Sequence, residues 1–365
     1  MADPSSLKGN NVRGKIFNGV AGLSAVVLTG ALIVPGALAS GTSSFTSYNC
    51  KGSSADGSTI STDLSSLAQG GTLSLSGDCG SPSSLLTISV PADVTLEGTE
   101  GSDNNFGTEI FGHLTETSSE STTIKSLQVD CNNGNFSGIT LDGWQLTVEN
   151  VTVDNCKNGI ELDNPSNGNG NAVNDRIDDN FISLGSTGYG FYVNDNGNGV
   201  TDGHFEGNYV AGGAVSINMT NSAGWYINNN HTYAQTGAAI NAYRMWGTHI
   251  EGNYIENWTG HGITGSIQAG SVGSVVSGNE VFEDDGGVVG SGDSVGTGIL
   301  LTAPGSGTGY AVVTGNVVIN TNKAAGSYGI NGSGTGLVFV SAGNSVQGAA
   351  NPDVATSGAV KTAGV

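Results

Sequence analysis

An asparagine that returns about once every two dozen residues, usually between apolar positions, constrains this chain more than any other feature. The phrase is an aliphatic residue, two small or polar residues, Asn, any residue, then an aliphatic residue. It reads Ile177-Asp178-Asp179-Asn180-Phe181-Ile182, and again Phe205-Glu206-Gly207-Asn208-Tyr209-Val210. Further copies centre on Asn230, Asn253, Asn279, Asn316 and Asn344, and the seven asparagines are spaced by 28, 22, 23, 26, 37 and 28 residues. A second phrase, a small residue followed by an aliphatic one, comes after each of the first six: Gly190-Phe191, Ala214-Val215, Ala239-Ile240, Gly262-Ile263, Gly298-Ile299 and Gly329-Ile330. Gly138-Ile139 and Gly159-Ile160 are earlier relatives.

A period of roughly 20–30 residues marks a structure built by stacking one unit on the next. Short apolar/polar alternations broken by Gly and Asn make those units strands rather than helices. The L-x-x-L-x-L phrase of leucine-rich repeats is absent. The pattern therefore predicts an all-β chain wound as a parallel β-helix, each coil about 4.8 Å above the last. Equivalent residues then form columns: Ile and Val inward as the core, Asn at a tight corner where its tolerance of left-handed backbone is useful. Composition agrees. Glycine is 61 of 365 residues and charged residues are 11%, against about 25% charged in an ordinary soluble domain. Too few Lys, Glu, Arg and Gln remain to build long amphipathic helices. Ten basic residues face 31 acidic ones, a formal net charge of −21. That balance excludes nucleic acid as a partner, because phosphate binding needs clustered Lys and Arg. It suits an extracellular surface, where large net charge aids solubility.

At the amino terminus, Lys8, Arg13 and Lys15 precede an apolar run that closes on Ala37-Leu38-Ala39. This is the grammar of a secretory signal peptide. The core of the run, residues 16–34, is also long enough for a hydrophobic helix to span a bilayer as a membrane anchor, ended by Pro35. The expected organisation is 1–39 signal peptide or anchor, 40–100 capping segment, 101–345 parallel β-helix and 346–365 small-residue tail. The protein is expected outside the cell or on a virion surface, free or anchored at its N-terminus. Export makes the four cysteines two disulfides. Cys131 and Cys156 are 25 residues apart, one coil, and so become stacked neighbours within disulfide reach. Cys50 and Cys79 form the second pair. No C-x-x-C pair suggests a metal.

With these features in place the chain resembles the pectin-lyase-like right-handed parallel β-helices. The N-terminal part carries the resemblance further: Asp56-Gly57-Ser58-Thr59-Ile60, a helical stretch at 63–69, then Gly70-Gly71-Thr72-Leu73-Ser74-Leu75, and a first full coil at 88–98. The resemblance covers about residues 45–345 and implies an N-terminal helix that caps the open end of the spiral. It is specific for fold and not for activity, since that architecture hosts lyases, hydrolases, epimerases, adhesins and viral tailspikes.

Polygalacturonases of the same architecture carry paired Asp, Gly-His-Gly and a later Arg-x-Lys. Here Gly260-His261-Gly262 is present, flanked by Asp178-Asp179 and Asp284-Asp285, but no Arg follows Arg244. Lyase chemistry would use Arg244 as base or carboxylate clamp, with Ca²⁺ as the one cofactor in view. Hydrolysis needs two carboxylates flanking the scissile bond. In the asparagine register Asp178, Glu206 and Glu251 share an outward column, and Glu256 lies near it. The candidate catalytic set is Glu251, Glu256, His261 and Arg244. Aromatic residues concentrate between 225 and 258, and Trp225, Tyr226, Tyr243, Trp246 and Trp258 are the candidate sugar-stacking residues. The expected function is a surface β-helix that binds a polysaccharide, a cell-surface glycan or a host surface, in the manner of a spike or adhesin. A secreted polysaccharide lyase or glycoside hydrolase, and a structural virion or envelope component, are the alternatives. A homotrimer or a place in a larger particle follows by analogy with viral relatives.

Overall fold

A computed structural model describes residues 44–67, 70–99, 107–116, 121–163, 173–195, 199–271, 273–283, 296–303, 306–320 and 327–363. The predicted leader and anchor, Asp284-Asp285 and the centre of the long insertion lie outside the described residues. No described helix is long and apolar enough to cross a membrane.

The described chain is all-β, with a single helix, Ala55–Ser66. Every pairing between named strands is parallel and joins one coil to the next. Three sheets run the length of the spiral. The first contains Thr147–Glu149, Arg176–Asp178, His204–Glu206, Tyr226–Asn228, His249–Glu251 and Ser274–Ser277. The second contains Thr152–Asp154, Phe181–Ser183, Tyr209–Ala211, His231–Gln235 and Tyr254–Trp258. The third contains Ser137–Leu141, Asn158–Asp163, Tyr189–Asn194, Val215–Met219, Ile240–Met245 and Ile263–Ile267. The core is the predicted set of columns. On the third sheet Ile139, Ile160, Phe191, Ile217, Ile240 and Ile263 stack in register and are buried.

The repeat asparagine makes the corner between the first and second sheets. The residue before it takes left-handed backbone: Asp179 (φ 56), Gly207 (68), Asn229 (56) and Gly252 (65). Only Gly, Asn and Asp adopt this readily, which explains their recurrence there. Each Asn Oδ1 then accepts from the backbone N–H and the side-chain amide of the previous Asn. Asn230 Oδ1 receives Asn208 N at 3.0 Å and Asn208 Nδ2 at 3.0 Å, while Asn230 Nδ2 donates to Phe205 O at 2.8 Å. The ladder continues through Asn253, Asn279, Asn316 and Asn344.

The small residue of the second phrase opens the third sheet at its most crowded point. A β-carbon on Gly262 would lie 2.6 Å from Gly298 O of the next coil. Both disulfides form as expected, Cys50–Cys79 and Cys131–Cys156, with Cα separations of 4.8 and 4.9 Å, one coil step. Beyond 346, the strands Asn351–Thr356 and Val360–Ala363 add a further coil onto Tyr328–Ser333 and Leu337–Ala342.

The helix begins at Ala55, earlier than the expected 63–69, and buries Ile60 and Leu64. Its anchor is Asp56, whose carboxylate accepts from Tyr48 Oη (2.7 Å), Lys51 N (3.0 Å), Ser53 N (2.8 Å) and Gly80 N (3.1 Å). Burial opposes its ionisation, but the bonds from Ser53, Tyr48, Gly80 and Lys51 outweigh burial and hold the carboxyl below its ordinary range. Asp56→Ala is expected to cost about 3 kcal/mol of stability, because three backbone donors lose their acceptor. Denaturant titration checks this. The wild-type advantage should be full above about pH 4 and shrink as pH falls through the lowered carboxyl value.

Candidate functional site

The three corners of the spiral differ, and that difference selects a face. From the coil of Thr123–Lys125 onward the connections between the first and second sheets are two residues, among them 179–180, 207–208, 229–230 and 252–253. Those entering the third sheet run from 212–214 to 284–296, and those leaving it from 246–248 to 164–175. Only the third sheet is bordered on both sides by connections of variable length. Its outer face, called the trough below with the strands as its floor, has borders whose length can change without disturbing the core, the usual place for function on a rigid scaffold.

The floor is polar and internally bonded. On successive coils its outward column reads Thr140, Glu161, Tyr192, Asn218, Asn241 and Thr264. Glu161 Oε2 accepts from Ser137 Oγ, and from Asn158 Nδ2 at 3.2 Å. Asn241 Nδ2 donates to Asn218 Oδ1 at 2.7 Å. Where the strands leave the floor, Asp163 Oδ1 receives Asn194 Nδ2 at 3.0 Å, and Asn194 Oδ1 receives Tyr192 Oη at 3.4 Å. Burial, followed by the charge of Glu161, raises the Tyr192 hydroxyl pKa, so it stays protonated and available as a donor. Burial, and then the charge of Asp163, also raises the Asp142 carboxyl.

One strand of this floor is irregular. The pairing of Ile240–Met245 with Ile263–Ile267 shifts between Ala242 and Met245, and Arg244 sits at φ 56. A bulge of this kind re-aims side chains, and non-Gly residues in left-handed backbone gather at functional positions. Ala242 and Met245 stay in the core while the consecutive pair Tyr243 and Arg244 both face solvent. Arg244 Nη1 reaches Asp195 Oδ2 at 3.3 Å, and that oxygen also receives Asn221 Nδ2 at 2.7 Å. Tyr243 is 50% exposed and Trp246, on the connection that follows, 38%. Trp144, on the equivalent connection lower in the spiral, is 41% exposed. Four coil steps of about 4.8 Å separate the coils of Trp144 and Trp246, so the rim extends over about 19 Å.

The sequence-predicted residues do not converge. Glu251 lies outward on the first sheet, bonded to Ser277 Oγ at 2.7 Å and facing His249 Nδ1 at 3.5 Å. Glu256 lies on the second sheet, 3.4 Å from His231 Nε2. His261 lies on a connection into the third sheet, where its Nδ1 accepts Thr297 N at 3.1 Å, and burial lowers its pKa. Its bond fixes the start of the next coil's strand, and Gly262 belongs to the crowded glycine position. Of the four, His261 lies at a border of the third sheet and only Arg244 stands on its strands.

Two of the five stacking candidates are corrected outright. Trp225 and Trp258 are fully buried core residues; Trp225 Nε1 donates to Val200 O at 3.2 Å. Tyr226 is corrected for another reason. His204 stacks on one side (5.1 Å, 9°) and His249 on the other (4.7 Å, 14°), so both ring faces are covered. A sugar needs a free face. Tyr243 and Trp246 remain, and Trp144, Tyr192 and Asp195 are the residues that the sequence did not single out. Among the described residues no group of three or more His, Cys, Asp or Glu side chains is arranged to hold a metal ion.

Comparison with known proteins agrees with this architecture. The family model "Right handed beta helix region" matches residues 137–301. The alginate lyase from Paenibacillus sp. str. FPU-7 is similar in structure, with a TM-score of 0.53 at 16% identity over 87% of this chain and 99% of that one. The A-module of mannuronan C-5 epimerase AlgE4 from Azotobacter vinelandii gives 0.53 at 15% identity, over 87% and 100%. No curated protein matches in sequence. The chain has the pectin-lyase-like fold, a right-handed parallel β-helix. At these identities the two solved structures speak for fold.

Proposed function

We propose that the protein binds a glycan along the third-sheet trough, as an extracellular or surface-displayed β-helix. The observation that carries this reading is the bulge, which turns Tyr243 and Arg244 outward together beside Trp246. Around it lies a floor of amides and hydroxyls suited to sugar hydroxyl groups: Tyr192, Asn194, Asn218, Asn221 and Asn241. Exposed aromatic rings supply stacking faces, and buried-edge amides supply direction. The printed activities of the two similar structures, on alginate and mannuronan, are consistent with a saccharide ligand.

Oligosaccharide binding measured by calorimetry is expected to weaken about 10- to 100-fold in Tyr243→Ala or Trp246→Ala, as for loss of an aromatic anchor worth about 1.5–3 kcal/mol. Tyr226→Ala, whose ring faces are stacked on His204 and His249 of the first sheet, should change affinity less than twofold. Loss of binding in Tyr226→Ala with none in Tyr243→Ala would move the site to the first sheet and defeat the reading. The same oligosaccharides, incubated and assayed for new reducing ends and unsaturated products, distinguish a binder from a lyase or hydrolase.

A further inference from the structure

The charge of the trough limits what kind of glycan it can hold. Between Lys157 and Lys323 the chain has two basic residues other than histidine, Arg176 and Arg244, against fifteen Asp and Glu. Arg176 is on the first sheet, bonded to Asp178 at 2.8 Å. Arg244 is matched by Asp195, whose side chain is fully buried. Along the trough stand four carboxylates, Asp142, Glu161, Asp163 and Asp195. Lys157 immediately precedes the strand Asn158–Asp163. Neither connection beside the acidic coils, 164–175 or 195–203, carries a Lys or Arg.

A polymer with a carboxylate on every sugar would meet this surface with one guanidinium already engaged. Like charges brought together in a partly desolvated groove oppose binding strongly, and unpaired buried charge is costlier still. The carboxylates already accept donors within the protein, Glu161 from Ser137 and Asn158 and Asp163 from Asn194, and their charge remains to attract a cation. Glu161 and Asp163 stand in register beside Tyr192 and Asn194 of the next coil, and two like charges on neighbouring outward positions favour an ammonium group over a neutral or acidic substituent. Exposed Trp144, Tyr243 and Trp246 add cation–π attraction at the rim.

We propose that the trough selects a glycan bearing free amino groups and rejects uronates. This rests on the trough being the glycan site. The test titrates the intact protein with three oligosaccharide sets of matched length: glucosamine oligomers, their N-acetylated counterparts, and oligomannuronate. The expected order is amino first, N-acetylated about tenfold weaker, and oligomannuronate weakest. Amino-sugar affinity should fall as salt rises, while that of the neutral set stays flat. Glu161→Gln and Asp163→Asn should each weaken amino-sugar binding about tenfold and narrow its margin over the neutral set. Asp142→Asn, remote from the Glu161 bonds to Ser137 and Asn158, gives the same comparison if Glu161→Gln unfolds. Equal affinity for amino and neutral sets, or tightest binding of the uronate, overturns the proposal while leaving the trough as a site. If none of the three sets binds, the parent reading fails with it.

Discussion

Asn230→Leu is expected to destabilise the protein by about 4 kcal/mol, the largest single-residue effect the structure supports. Leucine keeps the branched heavy-atom skeleton of asparagine and leaves no cavity in the corner, so the cost comes mainly from lost hydrogen bonds. Asn208 N and Asn208 Nδ2 lose their shared acceptor, and Phe205 O loses its donor. All lie in the buried corner, where an unmet polar group costs about 1–3 kcal/mol. Because each amide polarises the next, the loss should spread beyond one coil. Hydrogen exchange should quicken at residues 205–232 and in the adjoining rungs. Asn228→Ala is the matched control. Its side chain is outward and bonds Glu206 Oε1 at 3.1 Å, so it should cost less than about 0.5 kcal/mol. Similar costs for the two would mean that the ladder is ornament.

The second large effect is electrostatic. Asp154 is stacked on Asp130 of the preceding coil, and its carboxyl is pushed up to about 7 by burial and then by the charges of Asp130 and Glu109. Between about pH 4 and that value the folded chain holds a proton that the unfolded chain has released. Stability from this group therefore falls as pH rises through that window, and the cost is complete above it. Asp154→Asn removes the cost while keeping an acceptor for Gln128 Nε2, now 3.4 Å from Asp154 Oδ2. The variant should exceed wild type by on the order of 3 kcal/mol at pH 8 and match it near pH 4. Denaturant midpoints across that range check it, and a gap independent of pH would contradict the argument.

What the sequence revealed and what it hid follow from one cause. A residue can be placed from sequence where the distance between repeats is fixed by geometry. The two-residue corner keeps Ile177, Asn180 and Ile182 in constant phase, so the columns and the ladder could be read directly, while Cys131–Cys156 followed from its one-coil spacing and Cys50–Cys79 as the remaining pair. The third sheet lies between connections of changing length, and there the phase is lost. Tyr192 and Asp195 fall outside the aromatic cluster, and Trp144 lies some eighty residues before it. The cluster itself mixed three environments. Trp225 and Trp258 point inward, Tyr226 is stacked between histidines, and Tyr243 is half exposed. The bulge at Arg244 leaves no trace in composition, because Ala242, Tyr243, Arg244 and Met245 would serve a regular strand equally well.

The constancy of the asparagine corner has a practical result. Since the ladder fixes the height of every coil from one edge, the opposite borders can be exchanged rung by rung, like drawers in a chest whose frame stands unchanged. Segments such as 236–239 or 268–273 are natural places to graft new recognition loops, each held at a known height beside its neighbours.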